Sequence, residues 1–454
     1  MRFIRSLFAL LLTALCPLAL CAQASHPLLQ RPAFNGKLIV FSYAGDLWSV
    51  DRDGGHAARL TTGTGIETDP VFSPDGNTIA FTGEYDGNTD VFVMPAVGGV
   101  PKRLTYHPQA DAAVGWTPDG KSVIFRSNRE STSPRYTKLF KVSLEGGLPT
   151  ALPLPMAFSG KYSADGKRFA YSPVGGASPF NYAAYVAWRN YRGGLASSVW
   201  IADMATLDVV KVPRERSNNF NPMWVDNQVY FLSDRNGPVS LYRFDPATKS
   251  LTEVVKNDGA DIRSASAAPG GIVYDRFGEL FLYDTASGQA RRISVDVSAD
   301  LPEVRPRISP ADRDIQNFRI SPTGVRAVFE AHGDIFTVPA KESTTRDITG
   351  TPGAMEREPA WSPDGQSIAY FSDESGQYAL HVRSQTGAGE VKKFPLANEA
   401  TYYFRPVWSP DSKLIAFHDN KMNIWILDTT VGKAAVIDKG TVDDNDFDAA
   451  WSPD

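Results

Sequence analysis

A chain of 454 residues that is 42% apolar and 21% charged has the balance of a soluble globular protein, with room for about two to four domains. Its formal net charge of −5 argues against a nucleic-acid binder, which needs a basic surface to displace counterions from phosphates. Frequent glycine (37) and proline (32) fit a chain of many short strands joined by many turns.

The first 24 residues stand apart. "MRFIRS" carries two arginines, "LFALLLTALCPLAL" is apolar, and "AQA" at 22–24 is a small-residue cleavage signal. This order is that of a secretory signal peptide cut before Ser25. An uncleaved anchor is the alternative, with an apolar run short for a span. "LALC" resembles a lipoprotein box, but Leu20 is bulky where a small residue is usual. Both cysteines, Cys16 and Cys21, lie in this segment, so the exported chain is expected to hold no disulfide and no thiolate metal site. No later apolar stretch is long enough to cross a membrane.

From residue 33 onward one unit repeats. A short apolar strand comes first: Leu38–Phe41, Ile79–Phe81, Val123–Phe125, Phe169–Tyr171, Val229–Phe231, Ile272–Tyr274, Ala327–Phe329, Ile368–Tyr370 and Ile415–Phe417. An alternating strand follows, centred on Trp48, Phe92, Phe140, Trp200, Tyr242, Phe281, Phe336, His381 and Trp425. Several copies then carry a "RLT"-like strand, at 59–61, 103–105 and 347–349. An aromatic turn ends the unit: "FSPDG" at 72–76, "WTPDG" at 116–120, "YSADG" at 162–166, "WSPDG" at 361–365, "WSPDS" at 408–412 and "WSPD" at 451–454. Alternation gives each strand a buried and an exposed face, and proline, aspartate and glycine suit a tight turn. Four strands per repeat of roughly 40–50 residues predict an all-β propeller. A two-layer sandwich could use such strands but would not repeat one unit nine times.

The central aromatics lie 44, 48, 60, 42, 39, 55, 45 and 44 residues apart. The 55-residue interval, Phe281 to Phe336, is polar, proline-bearing and lacks the usual turn-strand order. It is read as a junction at 301–318, after a six-bladed propeller at 33–300 and before the first blades of a second propeller at 319–454. The final "WSPD" opens a tenth strand, so the chain reads as a fragment whose second propeller is incomplete.

The 60-residue interval contains "GGASPFNYAAYVAWRNYRGGLA" at 175–196. Insertions in repeat proteins become loops on one face, often the functional one. Trp188, Arg189, Tyr191 and Arg192 are the candidate docking or gating residues, since arginine presents a planar fork and stacks on rings. A decoration that merely covers the blade edge is the alternative. "AWRNYRGG" with "SSVWIADM", "FNPMWVDNQVYFLSDRNG" at 220–237, "EREPAWSPDGQSIAYFSDESG" at 356–376 and "YYFRPVWSPDSKLIAF" at 402–417 resemble the Tricorn-type peptidases. The W-S-P-D-G turns alone are shared with TolB-like propellers and with prolyl-oligopeptidase relatives. The resemblance implies a six-bladed and a seven-bladed propeller that filter peptides, followed by PDZ and S41-like catalytic serine peptidase domains beyond Asp454, in a homo-oligomer. The arginine pair that the family places before the second blade's turn is missing from "TYHPQADAAVGWTPDG" at 105–120.

No G-x-S-x-G elbow, H-E-x-x-H or phosphate-binding G-x-x-x-x-G-K occurs. His26, His56, His107, His332, His381 and His418 are scattered, and "DDNDFD" at 443–448 lacks a calcium loop's glycine and closing glutamate. The sequence therefore implies no catalytic residue, metal or cofactor in this chain, and peptides, rather than nucleic acid or membrane, as partners. Export to the periplasm is expected, with the cytoplasm of archaeal relatives as the alternative. N-terminal sequencing of the mature protein should begin near Ser25; intact Met1 in a cytoplasmic fraction would contradict export.

Overall fold

Nine four-stranded sheets follow one another along the chain, each with its strands in sequence order and antiparallel. The computed structural model describes residues 27–131, 133, 136–175, 196–257, 260–301, 311, 314–351, 353–397, 401–440 and 449–453. Among these residues there is no helix. The sheets span residues 30–59, 66–103, 111–151, 159–211, 219–255, 262–292, 316–347, 356–395 and 403–439. The architecture is the all-β propeller that the repeat predicts.

Each sheet is built round one cross-strand pair. The aromatic that ends the apolar strand stands opposite the central aromatic of the next strand in all nine: Phe41 and Trp48, Phe81 and Phe92, Phe125 and Phe140, Tyr171 and Trp200, Phe231 and Tyr242, Tyr274 and Phe281, Phe329 and Phe336, Tyr370 and His381, Phe417 and Trp425. Several of these rings stack, with centroids 5.3 Å apart for Tyr274 and Phe281 and 6.1 Å for Phe417 and Trp425. Such pairs contribute about 0.5–1.5 kcal/mol beyond the area they bury.

The turn motif works as its residues predict. Ser73 Oγ donates to Asp75 Oδ1 and accepts from the Thr78 amide, while Asp75 accepts from the Asn77 amide. Thr117 with Asp119, Ser163 with Asp165, Ser362 with Asp364 and Ser409 with Asp411 repeat this geometry. Gly76 sits at φ +72, a region open to glycine. The turn's tryptophan then ties one sheet to the sheet before it. Nε1 of Trp116, Trp224, Trp408 and Trp451 donates to the carbonyl of Val71, Lys161, Ala360 and Val407. In each case the acceptor lies on the preceding sheet, beside that sheet's own turn aromatic.

The first strands touch in sequence order. Gln30–Phe34 meets Ile66–Phe72, then come Asp111–Trp116, Ser159–Tyr162, Asn219–Val225 and Ile262–Ala268, and the last of these meets Gln30–Phe34. Sheets one and six share a core of Phe34, Phe41, Trp48, Val273 and Leu282, to which Ile293 and Leu301 add. A connection that the sequence did not reveal reinforces this contact. Val295–Asp296 runs parallel to Gly55–His56 and pairs with it. Arg52 meets Asp284 at 2.8 Å, and Arg291 meets Asp53 at 2.5 Å.

Gly54 makes that pairing possible. A Cβ placed on it would lie 2.3 Å from the Ser294 carbonyl oxygen, whereas one on Gly55 would meet nothing within 4 Å. Both glycines have positive φ, so substitution strains both backbones alike. Gly54→Ala should therefore destabilise the chain by about 1–3 kcal/mol more than Gly55→Ala, read from urea midpoints. Equal midpoints would show that the returning strand adds nothing.

Candidate functional site

The first strands carry a shared irregularity. The register slips between Gln30 and Ala33, Thr68 and Val71, Phe220 and Met223, Gln316 and Arg319, Arg357 and Ala360, and Phe404 and Val407. At each slip one residue takes positive φ: Arg31, Asp69, Asn221, Asn317, Glu358 and Arg405. In five of the six the next residue is proline, which has no N–H to give to the ladder. The bulge turns a polar side chain toward the neighbouring sheet. Arg31 Nη1 meets Asp69 Oδ1 at 2.5 Å, Asn221 Nδ2 donates to the Ala265 carbonyl at 2.9 Å, and Glu358 Oε2 accepts from the Arg405 amide at 3.4 Å.

Between sheets two and three the bulge opens onto a cavity of about 300 Å³, lined in part by Asp69, Thr89, Ala112, Arg126, Ser127 and Asn128. Arg126 lies on the second strand of its sheet, opposite Ala112. Its guanidinium sits 4.2 Å from the Phe158 ring centroid. Burial holds its pKa below the ordinary arginine value, Arg31 adds to this, and Asp69 opposes it. Lys161 on the next first strand is also desolvated, and burial pushes its pKa down to about 8. Its Nζ donates to the Val114 carbonyl at 2.5 Å, in the space left by Gly115.

Trp188, Arg189, Tyr191 and Arg192 lie outside the described residues. Both roots of their segment are described. It connects the second and third strands of sheet four, and Ser197 Oγ donates to the Val174 carbonyl at 3.3 Å, closing its base. Arg214 Nη1 donates to the Ala196 carbonyl, and Gly175 packs on Phe158, whose ring a Cβ there would meet at 2.6 Å. The base of the insertion thus adjoins the ring on which Arg126 stacks. The sequence reading missed Arg126 and the bulges. The Arg-Pro, Asp-Pro, Asn-Pro and Glu-Pro steps ahead of the turns were the available signal for the bulges, and nothing local marked Arg126.

Buried carboxylates stand where one sheet meets the next. Thr61 Oγ1 donates to Glu67 Oε2 at 2.8 Å and lies 3.3 Å from Asp46 Oδ1, and Arg59 pairs with Asp46. Burial pushes Glu67 up to about 7 against the Thr61 hydrogen bond, with Asp46 adding to the rise. Glu356 holds the same place on sheet eight, and burial likewise pushes it up to about 7 against its bond from Ser372. Among the described residues no group of three or more His, Cys, Asp or Glu side chains could hold a metal ion.

The Tricorn protease N-terminal β-propeller domain family model matches residues 26–289, and the TolB β-propeller domain model matches residues 318–454. The chain is 28% identical over 378 residues to Tricorn protease homolog 1 of Streptomyces coelicolor, covering 80% of this chain and 34% of that protein. It is 23% identical over 419 residues to the Tricorn protease homolog of Saccharolobus solfataricus, covering 91% and 37%. The crystal structure of the tricorn protease superposes with a TM-score of 0.52 at 19% identity, over 91% of this chain and 39% of that one, a likeness of fold. The chain thus spans roughly a third of the length of the two homologs.

The two raised glutamates give stability a pH dependence of definite sign. Their folded pKa values lie above the unfolded value of about 4.3, so the stability they lend is full below that pH and is lost as pH rises through about 7. His381, which burial pushes down to about 4, acts oppositely: its share is present above about 6.5 and is lost as pH falls toward 4. Glu67→Gln keeps an acceptor for Thr61 without the charge. It should match the parent near pH 4.5 and exceed it at pH 8 by on the order of 1–3 kcal/mol in urea unfolding. A difference that stays constant with pH would overturn the assignment.

Proposed function

The chain belongs to the Tricorn protease N-terminal β-propeller family, and on that premise we propose that it is the substrate-gating half of an exported Tricorn-like serine peptidase. The observation that carries this reading is the contact order of the first strands: six of them touch in sequence and the sixth touches the first. We read them as a complete six-bladed ring whose axis is lined by bulged strands. A channel of this kind selects peptides by size and charge without bonding to a particular sequence. Sheets seven to nine are read as the opening blades of a second ring. Phe318 and Ile320 on sheet seven and Val436 and Ile437 on sheet nine are exposed, as blade faces are where a neighbour is absent. Trp451 already takes the seat on Val407 that a further blade's turn would use. The chemistry is assigned to PDZ and S41-like domains beyond Asp454, and peptides and further copies of the chain are the proposed partners. The TolB-type match over residues 318–454 favours a second reading, a periplasmic protein-interaction module.

Arg192→Ala in the full-length enzyme tests the gating role with peptides of graded length. Gating expects kcat/KM to change with length or charge and to stay near the parent value for the shortest peptides. A uniform loss at all lengths would overturn it. Peptide hydrolysis by the 454-residue chain alone, surviving a catalytic-serine inhibitor control, would overturn the division of labour. A full-length chain with no peptidase activity, which captures folded proteins instead, would favour the interaction module.

A further inference from the structure

We propose that the cavity between sheets two and three is an oxyanion site in which Arg126 binds one carboxylate or phosphate group. The first ground is an unanswered charge. Arg31, Arg52, Arg59, Arg103 and Arg129 each face a carboxylate, on Asp69, Asp284, Asp46, Asp90 and Asp111. The Arg126 side chain has no hydrogen bond and no ion pair among the described residues. The nearest acid is already engaged, because Asp69 pairs with Arg31 and accepts from Thr68 and Thr82. The cavity therefore carries one positive charge in excess. In a desolvated place that charge is costly alone and binds an anion more strongly than it would in water.

The second ground is shape. Phe158 covers one face of the guanidinium and fixes its plane, which leaves the N–H edge for a two-pronged bond to an oxyanion. Ser127, Asn128 and Thr89 surround the same space and bring hydroxyl and amide donors. The room has a cause in the sequence: "DAAVGW" at 111–116 is the one stretch where a first strand combines two alanines and a glycine. Lys161 fills the space beside Gly115, and no side chain fills the space beside Ala110 and Ala112. A volume of about 300 Å³ is roughly ten times one water's share of the liquid, so it holds a group with its carrier and not only a bare ion.

Occupancy would also reach the insertion, because Phe158 lies between Arg126 and Gly175. The test is calorimetric titration of the whole chain with sodium phosphate and, separately, sodium acetate, at constant ionic strength set with sodium chloride. Saturable binding of either anion is expected, weakened at least tenfold in Arg126→Gln and partly kept in Arg126→Lys. The anion that binds more tightly identifies the source as phosphate or carboxylate. Melting should shift upward with the anion in the parent and not in Arg126→Gln. Phe158→Leu, which removes the stack and keeps the charge, should bind more weakly than the parent, and it carries the test if Arg126→Gln does not fold. Equal binding by the parent and a folded Arg126→Gln, or no saturable binding by the parent, would overturn the site.

Discussion

An aromatic ring on the second strand facing one on the third recurs in all nine sheets, and every other feature hangs from that pair. Each ring pair fixes the register of the two central strands, and a one-residue slip would turn both rings to the other face. A fixed register places the turn, and the turn places the tryptophan whose N–H reaches back one sheet. A buried indole N–H needs a partner, so this bond sets the distance between neighbours as well as adding area. Trp361 is the exception that locates the weak join. Its Nε1 is buried without a partner, and the sheet before it is the seventh, whose first strand is largely exposed.

The same joins carry the buried acids, and not every one of them is answered by an arginine. In sheets one and two an arginine neutralises the aspartate near the start of the third strand, and a threonine hydroxyl lies against it: Asp46 with Arg59 and Thr61, Asp90 with Arg103 and Thr105. Sheet seven keeps the threonine bond, Thr349 to Asp334, but has Asp347 where the arginine would stand. Burial raises Asp334, and Asp347 adds to the rise. Sheets one and two thus balance this aspartate with an arginine, and sheet seven does not. Contacts that respond to pH stand in both groups, at Glu67 in the first and at Asp334 and Glu356 in the second.

Much of this was legible in the sequence, because a strand's period of two and a turn's chemistry are local. The apolar triplets end on the residues that form the ring pairs, and the central aromatics lie on the strand after the apolar one, which is the third of each sheet. His381, given by the repeat as the centre of the eighth copy, occupies that place opposite Tyr370. What was not legible depends on two distant segments at once. Nothing in "ISVDV" at 293–297 announces that it returns to Gly55–His56, 240 residues earlier. The bulges left a trace in the X-Pro steps, but which way each side chain turns is set by the neighbouring sheet. Arg126 is the extreme case. It differs from Arg31, Arg59, Arg103 and Arg129 by what is missing across a join, and a missing partner has no sequence signature.

That missing partner bears on how the fold and the site share one frame. A largely desolvated cation whose nearest carboxylate is already paired with another arginine is unfavourable for the folded state, and a neutral side chain of similar size would pack beside Ala112 without that cost. The frame tolerates it because the ring pair of its own sheet, Phe125 with Phe140, is held on the other side by Arg129, whose charge Asp111 answers. Two arginines three residues apart therefore divide the work. Arg129 spends its charge inside the join, and Arg126 keeps its charge facing the cavity. Stability is concentrated where the sheet needs its register, and the unpaired charge lies where the first strand is smallest and a ligand has room. Strain or unmet charge of this kind is where local rules of folding and the demands of a site part company.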